Sequence, residues 1–153
     1  MGVIKRFIEE LAKHKLWVYF AVLWGASMFF WSLYDLGYYV TSFEEATDAF
    51  PILYNLLELG AGLFLALFGI KMLQVNFLEA LDAEKALLYF VLLWAASLFF
   101  CGLYDILDYG TYIFEYPEDI LAFIGALADF FGGAVLALFS WNLISKKEPD
   151  TTQ

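Results

Sequence analysis

The chain has 153 residues, 63% of them hydrophobic, with a formal net charge of −10. A soluble domain of that length has no core able to hide so much apolar surface, so a soluble globular fold is excluded and a membrane domain is indicated. The acidic balance carries no message about nucleic acid, because the acids gather in particular connections; no nucleic-acid partner is expected.

Residues 3–14 set Ile4, Phe7, Ile8 and Leu11 on one helical face and Lys5, Arg6, Glu9, Glu10 and Lys13 on the other. That pattern predicts a short amphipathic helix lying in the cytoplasmic interface, the alternative being an early extension of the first span. The polar stretch before the first apolar run, with no small-residue cleavage site after that run, argues against a signal peptide. Leu16–Tyr34 and Ala86–Tyr104 are free of charge. Each is long enough to cross ~30 Å of hydrocarbon at ~1.5 Å per residue. Ala49–Ile70 and Ile120–Ser145 are also long enough, and each holds one acid, Glu58 or Asp129. Between spans, Ser42-x-x-Glu45 suggests a capped turn before Pro51, and Asn76-x-x-Glu79 resembles a capping box opening an amphipathic linker with Phe77, Leu78 and Leu81 toward lipid. Pro117 suits the first turn of the last helix.

A shift of seventy residues lays the first span on the third: Leu23-Trp24 on Leu93-Trp94, Phe29-Phe30 on Phe99-Phe100, and Leu33-Tyr34-Asp35 on Leu103-Tyr104-Asp105. One residue more aligns the second span with the fourth, so Glu58 meets Asp129, Gly62 meets Gly133, and Leu65-Ala66-Leu67-Phe68 meets Leu136-Ala137-Leu138-Phe139. Generic membrane composition does not put two Tyr-Asp pairs and two intramembrane acids in register. The expected fold is therefore an all-α integral membrane protein: four transmembrane helices as two tandem duplicated helix hairpins. Each unit has an even number of spans, so the copies insert the same way up. This makes a parallel repeat with a pseudo-twofold along the membrane normal. One membrane domain over 1–153 divides into the interfacial helix 3–14, hairpins 15–74 and 85–145, the cytoplasmic linker 75–84 and the polar tail 146–153.

Every Lys and Arg lies on one side of these runs, at Lys5, Arg6, Lys13, Lys15, Lys71, Lys85, Lys146 and Lys147. The other connections carry Glu44, Glu45 and Asp48, then Glu115, Glu118 and Asp119. Loop Lys/Arg bias sets orientation, so both termini are expected in the cytoplasm and the acidic loops on the outer side.

Glu58 and Asp129 lie roughly 13 Å inward from the outer starts of their helices, at hydrocarbon depth, where a charge normally faces a bundle interior or water. Gly62, Ala66 and Gly69 continue the stripe of Glu58, as Gly133, Ala137 and Ser140 continue that of Asp129. Small residues at that spacing let helices approach closely, so the acids extend packing seams. Trp24, Met28, Trp31 and Asp35 share a stripe on the first span, and Asn55 stands one turn outward of Glu58. No Lys or Arg neutralises the acids at that depth. They are expected to be protonated, to hold a cation, or to hydrogen-bond Ser27, Ser97 or tyrosine hydroxyls. As a metal site, Glu58 and Asp129 would suit a hard divalent cation. Asp35, Asp105 and Asp108, among the tyrosines that crowd the acidic side, form a candidate collecting ring, and Tyr with Asp there suits an organic cation.

His14 is the only histidine and Cys101 the only cysteine, so haem and His-based zinc sites within one chain, and internal disulfides, are not expected. Nucleotide and hydrolase motifs are missing, and no enzyme activity or cofactor is expected beyond a bound divalent cation. The expected function is cation or proton handling, as channel or carrier, through paired intramembrane carboxylates. The alternative is a non-catalytic accessory subunit of a larger membrane complex. Four helices rarely enclose a pore, so transport implies a homo-oligomer or larger assembly in the bilayer.

Overall fold

A bilayer offers the backbone no hydrogen-bond partners, so apolar runs of this length satisfy their own peptide groups as helices. The computed structural model describes residues 2–13, 15–42, 49–73, 82–112 and 120–145, and these form five helices: α1 (Gly2–Lys13), α2 (Lys15–Thr41), α3 (Ala49–Met72), α4 (Ala83–Tyr112) and α5 (Ile120–Ser145). The last four are long and apolar enough to cross a membrane, and no strand occurs among the described residues. This is the anatomy of an integral membrane protein. The linker capping box, the segments 43–48 and 113–119 with their acids and Pro117, and the tail lie outside the described residues.

Helix ends depart from the sequence expectation for local reasons. α2 and α4 run on past Tyr34 and Tyr104 to Thr41 and Tyr112, so Asp35, Asp105 and Asp108 sit on helical turns beyond the apolar run. Ser42 does not open a new turn: its hydroxyl donates back to the Tyr38 carbonyl at 2.8 Å and closes α2, as Thr41 Oγ1 does to Gly37 and Tyr38. α4 starts at Ala83 because Asp82 caps it, Oδ1 accepting from the Glu84 N–H at 2.9 Å and the Lys85 N–H at 3.3 Å. α1 is a separate helix. Its Ile8 is buried in a cluster with Ala21, Leu65, Phe68, Ala86 and Phe90.

Glycines decide how the spans cross. A Cβ on Gly62 would stand 2.6 Å from Phe29 N and 2.8 Å from Gly25 O, so α2 and α3 meet backbone to backbone. Gly69 continues this contact toward the α1 end, against Val22. Between α4 and α5 the corresponding contact recurs: a Cβ on Gly133 would lie 2.5 Å from Phe99 N and 2.6 Å from Ala95 O. Ser140, one further buried residue of the α5 stripe, has no hydrogen-bond partner among the described residues; Ala66 and Ala137 are half-buried.

α2 packs on α3, α3 on α4, and α4 on α5, in chain order. A twofold between the hairpins requires α5 against α2 to match α4 against α3. The structure differs: α5 has an extensive interface with α4 alone. Trp24 of α2 also touches Phe90 and Trp94 of α4, with ring centroids 6.2 and 6.0 Å away. α2 and α4 thus meet through these side chains, while among the described helices α5 packs extensively on α4 alone.

Candidate functional site

Glu58 of α3 lines a cavity shared with α2 and α4. A stripe on α2 at helical spacing brings Trp24, Met28 and Trp31 to one side of it, and Trp94 closes it from α4. Together with Ser27 and Ser32 they line a cavity of about 300 Å³ beside the Glu58 carboxylate. Ser32 donates to Glu58 Oε2 across 3.4 Å, a long and weak bond. Trp94 is held in place by a parallel stack on Phe90, 5.8 Å between centroids, and by an edge contact from Trp24. No Lys or Arg contributes to the wall.

A second cavity of about 250 Å³ lies on the α1 side of the first and is almost wholly apolar. Its wall includes Phe7, Trp17, Phe20, Leu65, Phe68 and Phe90. Trp24 belongs to both cavities, so an aromatic surface runs unbroken from the carboxylate to the apolar chamber.

The other acids fall elsewhere. Asp129 is half-buried on α5, and α5 supplies no part of the Glu58 cavity. The structure does not bring Asp129 into the lining of the Glu58 cavity; α4 packs against both α3 and α5. Cys101 of α4 donates its thiol hydrogen to Asp105 at 3.8 Å; Asp105 and, on α2, Asp35 are half-buried, and Asp108 is exposed. Among the described residues no three His, Cys, Asp or Glu side chains converge as metal ligands. Asn55 is buried, yet its amide donates to the Pro51 carbonyl of its own helix at 2.9 Å rather than to Glu58. Ser97 Oγ is buried without a hydrogen-bond partner among the described residues, so it bonds neither acid.

Sequence reasoning reached Trp24, Met28 and Trp31 through their shared stripe, and Trp94 as the counterpart of Trp24 on the matching stripe of the third span, but missed Ser32. Ser32 was legible: it lies eight residues after Trp24, on the same face. That Trp94 shares a cavity with Glu58 was not, since only the tertiary structure brings the two together. Comparison with protein-family models, curated proteins and solved structures finds no match.

Proposed function

We propose that this membrane protein binds a lipophilic cation, with the charge at Glu58 and the apolar body along the Trp24 wall into the second cavity. One observation carries the reading: an intramembrane carboxylate with no basic partner in its wall, beside three tryptophans that line the same cavity. Tryptophan faces attract weakly hydrated cations by about 0.5–2 kcal/mol each, most strongly where water is excluded. A small, hard divalent ion keeps its affinity for many oxygen ligands, which two serines and one carboxylate do not supply. At about 300 Å³ the cavity is at the small end of ligand sites.

Several finer features belong to the same proposal. The two hairpins are copies of one ancestral unit, which the in-register Tyr-Asp pairs and the recurring glycine contacts support. Lys/Arg bias puts both termini in the cytoplasm and Asp35, Asp105 and Asp108 at the outer rim, where they concentrate cations. Carriage of the cation across the bilayer is the role such a site suits. The reading places the charge at Glu58 alone, since Asp129 does not line its cavity. An accessory subunit in a larger complex is the second reading, favoured by the bare outer faces of α2 and α5.

The test uses protein in lipid nanodiscs, titrated with dodecyltrimethylammonium and, separately, Mg²⁺, and read by tryptophan fluorescence. Saturable quenching by the organic cation, lost in Glu58→Gln, is expected. Equal quenching in the variant would overturn the proposal.

A further inference from the structure

Two helix faces lie open, and both are counterparts of faces that are covered elsewhere in the same chain. Phe68 on α3 is 4% exposed beneath α2 and α4, whereas Phe139, its counterpart on α5, is 60% exposed. Phe90 on α4 is 6% exposed, whereas Phe20, its counterpart on α2, is 53% exposed. The same holds along both helices. Gly60 and Phe64 meet Leu93 and Tyr89 at the α3–α4 interface, while Phe131, Val135, Leu23 and Tyr19 at the corresponding places are all exposed. α5 thus presents what α3 presents to α4, and α2 presents what α4 presents to α3.

We propose that α2 of a second copy seats on α5 in the geometry that α4 adopts on α3, making a head-to-tail membrane oligomer. The inference rests on the reading of the hairpins as copies. Lipid alone would cover apolar faces, but Asp129 lies at hydrocarbon depth on the least enclosed of the four spans. An acid there needs a protein or aqueous wall. Moving each wall of the Glu58 cavity on by one hairpin supplies it. Trp94, Ser97, Leu98 and Cys101 replace Trp24, Ser27, Met28 and Trp31, and Trp24 of the second copy takes the place of Trp94. Each copy then holds two walled carboxylates, the second walled on both flanks only in the assembly. The contact is heterologous, so it makes a ring where the rotation between copies closes and an open row where it does not.

Cysteine cross-linking in native membranes tests this, in a Cys101→Ser background. Phe64→Cys with Tyr89→Cys, whose parent rings lie 5.2 Å apart, is the reference and cross-links within one chain. The intermolecular pair is Val135→Cys and Tyr19→Cys, both exposed positions whose replacement leaves the core intact. Expressed on separate chains and mixed, they yield dimers; either alone yields none; both on one chain yield a ladder of multimers. Dimers from either single variant mean face-to-face pairing and overturn the proposal. So does a mixture that stays monomeric while the reference pair closes. Cation binding at Glu58 is read separately by fluorescence, so either result stands if the other fails.

Discussion

Glu58 and Asp129 hold corresponding places on α3 and α5, yet their surroundings differ. Glu58 has helices on two flanks and three tryptophans along its cavity. Asp129 has α4 on one flank, and on the other a face of Leu121, Ile124, Phe131 and Val135 that nothing among the described residues covers. The difference teaches that hydrophobic pattern and glycine crossings build a hairpin, whereas the neighbour that follows it builds the site.

The sharpest way to break the comparison is to neutralise each acid in turn. Glu58→Gln is expected to abolish organic-cation quenching, while Asp129→Asn in protein dispersed to single chains leaves it unchanged; equal losses would mean one shared site. Gly133→Ala compared with Gly132→Ala sharpens the packing side. The first forces a Cβ to within 2.6 Å of the α4 backbone and is expected to cost about 1–3 kcal/mol, seen as a lowered Tm. The second meets nothing within 4 Å, and its counterpart Ala61 is already alanine, so Tm should hold or rise.

Trp94→Leu removes a wall of the Glu58 cavity and is expected to weaken cation affinity roughly tenfold, about 1.4 kcal/mol. Trp141→Leu, on the bare side of α5, should leave affinity unchanged and so serves as its control. Asp82→Ala deletes the α4 cap and should cost about 1 kcal/mol in thermal or denaturant unfolding, with cation affinity intact. Smallest is Ser32→Ala. Its hydroxyl reaches Glu58 across 3.4 Å, so the variant should shift stability by less than about 1 kcal/mol. A larger loss would mean that hydroxyl glue, rather than cation binding, is what Glu58 is for.

Much of this was readable along the chain, because it depends on local composition. Four spans follow from apolar length, and α1 from the spacing of Ile4 and Ile8. Gly62 and Gly133 follow from small residues at helical intervals. The Asp82 cap escaped notice because Asn76 and Glu79 offered a stronger-looking signal upstream. Ser42 carries the same residue type for an N-cap as for a C-terminal back-bond, so only geometry separates the two.

What the sequence determined by itself was the set of helices, their polarity pattern and the place of each acid along its helix, since these depend on near neighbours in the chain. Only the tertiary structure decided which faces meet. Trp24 reaches Trp94, and that contact joins residues seventy apart with no signature in local spacing. An apolar face reads the same whether it will meet lipid, α3 or another copy. That is why two corresponding carboxylates, equivalent as sequence and both half-buried, have different neighbours: Glu58 shares a cavity with tryptophans of two helices, and Asp129 does not line it.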